Sequence, residues 1–236
     1  MGKDSFRFRQ FEIRQDRCAM KVGTDGTLLG AWARGPQGVG RILDIGTGTG
    51  LIALMMAQRF PEATVTGLDI DGDAVRQAWE NVLASPFARR INILESDVNT
   101  FHPSKPYDAI VSNPPYFVDS LTCPDQQRTT ARHAVMLSYG VLMRRSFELL
   151  SREGSLSVVI PSESRPAIES EACLAGFFLS RVCMVRTTPR KVPKRQLVEF
   201  VKYPVKEIDI ADRIIEQEPG ERSPWYKELT REFYIK

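Results

Sequence analysis

The sequence predicts an α/β domain: a mostly parallel seven-stranded sheet with helices on both faces, closed by an antiparallel C-terminal hairpin. Two observations predict it. Between residues 41 and 204, short β-branched or apolar runs ending in Gly, Asp, Asn or Pro alternate with stretches of helical spacing. The last two runs then follow each other with only a basic turn between them. A chain of 236 residues fits one domain of this class. Its 42% hydrophobic and 26% charged residues supply a core and are too polar for a membrane protein.

The elements follow in order. "RILDIG" (41–46), "ATVTGLDI" (63–70), "INILESD" (91–97), "YDAIVSN" (107–113) and "SLSVVIP" (155–161) are the expected parallel strands. "LIALMMAQRF", "GDAVRQAWENVLA" and "HAVMLSYGVLMRRSFELLS" are the expected helices. "LSRVCMVRTT" (179–188) and "LVEFVKYP" (197–204) form the hairpin, whose tip is "PRKVPKRQ". Residues 1–40 read as an appendage, a hairpin around "FRFRQFEIRQD" and a short helix after "KVGTDG". Residues 41–206 carry the main fold, and 207–236 form an acidic amphipathic tail that looks like a lid or docking segment; all three belong to one structural domain. Residues 117–133 are too long and polar for a simple connection.

Several classes are excluded by composition. The N-terminus carries charge throughout with no apolar stretch, and "LIALMMA" is too short to span a bilayer, so no membrane partner and a cytoplasmic location are expected. Cys18, Cys123, Cys173 and Cys183 form no CxxC pair, and only His102 and His133 could join them; no metal site and reduced thiols are expected. From Arg181 to Lys206 eight Lys or Arg face Glu199 alone, and the first 40 residues are basic as well. Such segregation suits a polyanion, although a charge run is by default a solvated face.

"LDIGTGTG" sits where the first strand turns into the first helix. Gly46, Gly48 and Gly50 allow a tight turn that brings backbone N–H groups against a ligand at a helix N-terminus. The spacing is G-x-G-x-G, not the G-x-G-x-x-G of pyrophosphate binders. Asp44 could receive an ammonium group, Asp69 stands where ribose hydroxyls are read, and Asp97 could accept from the amino group of a purine. Together they describe a pocket for a nucleoside with an amino-acid tail, S-adenosyl-L-methionine. The alternatives are plain turn glycines with Asp69 as a helix cap, or a dinucleotide.

Across the expected pocket, the fourth strand ends in Asn113-Pro114-Pro115-Tyr116. Two prolines supply no N–H and fix φ near about −65°, so the corner is stiff and its exposed backbone groups are acceptors. The fold thus resembles Rossmann-like class I S-adenosylmethionine-dependent methyltransferases over residues 40 to 204. Within them, Asn-Pro-Pro-Tyr resembles the signature of enzymes that methylate a planar amino or amide nitrogen. The resemblance implies that Asn113 and the Pro114 carbonyl accept the two amino hydrogens, that Tyr116 stacks on the base, and that Pro115 is a rigid spacer. A base inside a duplex could not reach Tyr116, so a single-stranded, looped or flipped substrate is expected.

"FRFRQFEIRQDRCAMKVGTDGTLLGAWA", "DIGTGTGLIALMMAQR", "VSNPPYF" and "ARH" (131–133) are similar to the bacterial tRNA adenine-N6 methyltransferases, which modify adenine 37 in the anticodon loop of a valine tRNA. That likeness implies that Lys21, Thr24 and Asp25 border the methionine end of the cofactor; read by themselves, Thr24 or Asp25 would equally cap a helix. It also implies that Arg190, Lys191, Lys194 and Arg195 grip phosphates beside the anticodon, with Arg7 and Arg9 as a second contact. His133 stays ambiguous between surface and site. Ribosomal RNA or DNA adenine, a protein glutamine N5 position, and a noncatalytic RNA-binding module are the rival readings. Neither tRNA identity nor oligomeric state follows from the residues.

Overall fold

The computed structural model describes residues 4–17, 21–115 and 137–235. Tyr116, His133, Cys18, Cys123 and the "ARH" stretch lie outside the described residues. In chain order the strands are β1 (Ser5–Arg7), β2 (Glu12–Arg14), β3 (Gly40–Ile45), β4 (Ala63–Asp69), β5 (Ile91–Glu95), β6 (Tyr107–Ser112), β7 (Leu150–Pro161), β8 (Phe178–Arg186), β9 (Arg195–Val201), β10 (Asp209–Ile214), β11 (Glu216–Glu218) and β12 (Glu221–Arg222). The helices are α1 (Thr24–Trp32), α2 (Leu51–Arg59), α3 (Gly72–Leu83), α4 (Tyr139–Leu149), α5 (Arg165–Ala175) and α6 (Pro224–Leu229).

Among the described residues, eight strands form the main sheet in the order β10-β8-β9-β7-β6-β3-β4-β5. Only β9 runs against the others, pairing antiparallel with β7 on one side and β8 on the other. The seven expected strands are therefore present, the last two as the expected hairpin. An eighth, β10, pairs parallel with β8 at the edge. The tail is thus part sheet: β10, the small β11–β12 hairpin and α6 follow one another through residues 209–229. Helix α5 was also not expected, yet its sequence carries Pro at the first turn and Gly176 at φ 96° just past its end.

The central strands are buried on both sides, with Ala109, Ile110 and Val111 fully inside. Hence they read as continuous apolar runs, not as an alternation. Each fully buried Ile or Val there contributes about 1.5–3 kcal/mol through its removal from water. On one face α1, α2 and α3 pack with the N-terminal segment and the tail, burying Leu28, Leu54, Ala78 and Phe8. On the other, α4 and α5 cover Leu43, Ile110 and Val158 with Leu142 and Ile168. Helix starts follow side-chain chemistry: Asp71 accepts from the Asp73 amide at 2.9 Å before α3, and Ser138 from the Val141 amide at 3.2 Å before α4.

Because β3 lies between β4 and β6, the chain leaves it toward β4 and β5 and then crosses back to β6. That reversal opens a crevice outside the carboxyl ends of β3 and β6, the place where open α/β sheets bind ligands.

Candidate active site

The glycine loop occupies that crevice. Gly46 and Gly48 have φ of 73° and 55°, and a Cβ built on either meets nothing within 4 Å. These two positions therefore need glycine for their backbone, and they front open space that a ligand can approach closely. Gly50, at φ 79°, caps α2 and packs on Ala78. The loop is braced from beneath by the Gly46 and Thr47 amides, which both donate to the Leu68 carbonyl at 2.9 and 2.8 Å.

Two acids adjoin the loop, and a third follows the next strand. Asp44 is wholly buried; its Oδ2 accepts from Thr47 Oγ1 at 2.7 Å and from the Ala53 amide at 3.1 Å, while Oδ1 has no hydrogen-bond partner among the described residues. Burial pushes its carboxyl up from 3.8 to about 7, against the pull of those two donors. An orphaned carboxylate oxygen in so dry a place fits a site that a cationic group completes. Asp69 ends β4, accepts from the Gly48 amide at 2.8 Å and from the Asp71 amide at 3.1 Å, and is raised by burial as well. Asp97 stands two residues beyond the end of β5, not at it, and its Oδ1 closes a turn with the Asn99 amide at 2.8 Å. Asp44, Asp69 and the glycines are thus brought together at adjoining strand ends.

Across the crevice, β3 pairs with β6 so that Ile45 faces Ser112, and Ser112 Oγ donates to the Ile45 carbonyl at 2.8 Å. Asn113 follows at once, next to Gly46, with Pro114 buried and Pro115 partly so. Thr24 and Asp25 occupy the first turn of α1, and Gly23, in extended conformation, is the cap. The cap alternative for Thr24 or Asp25 is therefore corrected: the helix begins one residue earlier because Gly23 takes the flanking geometry. Gly26 leans on Leu51 and Ile52, so this turn borders the start of α2 beside the glycine loop; Lys21 is exposed just before it.

The basic positions separate into three groups. Arg190, Lys191 and Lys194 are exposed on the β8–β9 turn. That turn sits on the same edge as the crevice, because Ser162 at the end of β7 donates to the Lys194 carbonyl at 3.1 Å and, through Oγ, to the Pro193 carbonyl at 2.7 Å. Arg195 already belongs to β9 and forms an ion pair with Asp25 at 2.6 Å. Arg7 and Arg9 are exposed elsewhere: the Arg9 amide donates to the Phe233 carbonyl, and Glu232 beside it accepts from Gln58, near the end of α2 far from the glycine loop.

Asn81 is a contributor that sequence reasoning did not single out. Almost fully buried, its amide accepts from the Arg14 amide at 2.8 Å and donates to the Arg14 and Thr49 carbonyls at 2.9 Å each, tying β2 to the glycine loop. The signal was present: Gln77 and Asn81 share the buried stripe of α3 with Ala74, Ala78 and Val82, and polar residues in such a stripe have partners to serve.

Known proteins give this arrangement its class. Residues 31–180 match the Methyltransferase small domain family. The fold superimposes on the predicted O-methyltransferase of Agrobacterium tumefaciens with a TM-score of 0.68, at 22% identity, over 89% of this chain and 96% of that one. At that identity the likeness carries the fold alone. The sequence is 46% identical to the tRNA1(Val) (adenine(37)-N6)-methyltransferase of Bacteroides thetaiotaomicron, covering 100% of this chain and 99% of that protein. It is 42% identical to the enzyme of the same name from Tolumonas auensis, again over 100% and 99%. The chain belongs to the methyltransferase small domain family and, within it, to the group of these tRNA1(Val) (adenine(37)-N6)-methyltransferases.

Proposed function

We propose that this protein is an S-adenosylmethionine-dependent tRNA methyltransferase that modifies the exocyclic N6 of adenine 37 in the anticodon loop of a valine tRNA, acting in the cytoplasm. The single observation that carries the chemistry is the register placing Asn113 one residue past the Ile45–Ser112 pair, beside the glycine loop. The names of the full-length relatives support the substrate.

The adenine N6 lone pair is delocalised into its ring and is a poor nucleophile. Asn113, through its side-chain oxygen, and the Pro114 carbonyl accept the two amino hydrogens, which draws the nitrogen toward tetrahedral geometry. Pro115 keeps that corner from yielding, and by family resemblance Tyr116 stacks on the base. When bound, the cofactor would supply an electrophilic methyl group, activated by its positively charged sulfur, to the nitrogen that Asn113 and Pro114 present. The nitrogen then carries one proton too many, is acidic, and releases it to water without a strong base. Holding nucleophile and methyl about 3–3.5 Å apart is worth on the order of 7–11 kcal/mol in well-oriented intramolecular reactions. Asp44, the Gly46 and Gly48 cradle, Asp69 and Asp97 would hold the cofactor, while Lys21, Thr24 and Asp25 would border its methionine end. Arg190, Lys191 and Lys194 position the RNA through phosphates. No helix among the described residues is long and apolar enough to cross a membrane.

The test is methyl transfer from labelled cofactor to valine tRNA, the same tRNA with guanine at 37, ribosomal RNA, DNA and a glutamine-bearing protein substrate in parallel, followed by nucleoside mapping. Label in N6-methyladenosine from the first RNA alone is expected. Label at another nucleotide, or in protein, refutes the assignment.

A further inference from the structure

We infer that Arg195 and Asp25 are a pair of positioning residues that fix the basic β8–β9 turn over the carboxyl edge of the sheet, and that Arg195 is not itself a phosphate contact. The inference rests on the proposed tRNA substrate and sharpens how that substrate is held.

Arg195 differs from its basic neighbours. Its side chain is 26% exposed and that of Asp25 20%, and the two meet at 2.6 Å. A guanidinium already paired and mostly covered would have to break that pair before taking a phosphate. Arg190, Lys191 and Lys194 lie in the turn with their side chains in solvent.

The pair also closes a ring of contacts around the crevice. Arg195 opposes Pro161 across the β7–β9 ladder, and Ser162 ties Pro193 and Lys194 to the end of β7. Asp25 stands in the first turn of α1, whose Gly26 packs on Leu51 and Ile52 just after the glycine loop. One side of the turn is thus anchored to the strand next to β6, and the other to the helix next to the cofactor loop.

A second clamp on the same strand keeps the helix in line. Glu199, four residues along β9 and so on the same face as Arg195, is fully buried and pairs with Arg34 at 3.2 Å and Arg181 at 3.1 Å. Arg34 lies just past the end of α1, and Arg181 stacks over Trp32 at its last residue, 4.1 Å from the ring centre. Helix α1 is therefore held along β9 at both ends. Without the Arg195–Asp25 contact, the end nearest the crevice is the one set loose.

The experiment compares Lys194→Gln, Arg195→Gln, Asp25→Asn and the Arg195→Gln/Asp25→Asn double variant with the unaltered chain. It measures valine-tRNA affinity between 50 and 300 mM KCl, cofactor affinity, and kcat/KM for the tRNA. Lys194→Gln makes the log affinity against log salt plot shallower by about 0.7–0.9, the loss of one phosphate contact. Arg195→Gln and Asp25→Asn leave that slope unchanged and lower kcat/KM about tenfold, as expected of a misplaced substrate, and Arg195→Gln keeps cofactor affinity within about twofold. The double variant falls no further than either single one, since both break the same contact. A shallower slope in Arg195→Gln, additive losses in the double variant, or lost cofactor affinity in Arg195→Gln would overturn the inference. If the unaltered chain transfers no methyl to the tRNA, the functional reading fails, and the binding slopes still decide the role of Arg195.

Discussion

Replacing Asp44 with asparagine separates what the buried acid does for stability from what it does for the cofactor. Its carboxyl is raised by burial from 3.8 to about 7, so between about pH 4 and 7 the folded protein binds more protons than the unfolded chain. Stability of the cofactor-free protein therefore falls as pH rises through that window. A gap of about three pH units, at about 1.4 kcal/mol each, amounts to about 4 kcal/mol once the group is ionised. Asn keeps an oxygen to accept from Thr47 Oγ1 and the Ala53 amide but carries no charge to desolvate. Urea unfolding without cofactor, followed by tryptophan fluorescence at pH 5 and pH 8, is the assay. Asp44→Asn should be more stable than the parent by a few kcal/mol at pH 8, with most of that advantage gone at pH 5. Asp69, raised in the same direction, leaves a residual slope common to both proteins. Cofactor affinity should move oppositely: the parent binds more tightly as pH rises through 7, and the variant binds weakly at either pH. A stability difference between the two proteins that is the same at pH 5 and pH 8 would refute the reasoning.

Asn113→Ala should retain cofactor binding by calorimetry yet lose at least about 100-fold in kcat, the scale of one transition-state hydrogen-bonding group. Gly48→Ala places a methyl in the open cradle at φ 55°; cofactor affinity should fall at least about tenfold, with about 1–2 kcal/mol lost in denaturant unfolding. Asn81→Ala removes three hydrogen bonds and leaves the Arg14 and Thr49 backbone groups unserved. It should cost about 3 kcal/mol and weaken cofactor binding through the loop. Lys194→Glu should weaken tRNA binding and flatten its salt dependence, read by anisotropy titration.

The strands that frame the crevice were legible because a buried parallel strand announces itself as an unbroken apolar run ending in a turn former. Strand β10 was not: "DIADRI" alternates charges with half-exposed isoleucines, and in an acidic segment that pattern reads as amphipathic tail. Asp44, Asp69 and the glycines were legible because their chemistry is stated by residue type at a strand end. Asp97 was placed at the right turn but two residues too close to the strand. Arg195 was read as a tip residue because charge density says nothing about where a turn ends; its partner Asp25 lies 170 positions away in sequence, and only the folded sheet brings them together. Asn81 likewise serves Arg14 and Thr49, contacts that no local pattern names.

The aromatic cluster at the back of the molecule has a temporal consequence. Phe8 stacks near Phe11 and Tyr234, and the Arg9 amide bonds to Phe233, so residues 8–11 are completed by side chains more than 200 positions later. Residue 14, a few steps on, is what Asn81 grips while it steadies the cofactor loop. During synthesis, then, the ribosome must deliver nearly the entire chain before residues 8–11 acquire their final partners, and contacts of such separation form late. A nascent protein halted before residue 230 would carry the glycine loop and its Asn81 brace and still lack the partners of Phe8 and Arg9.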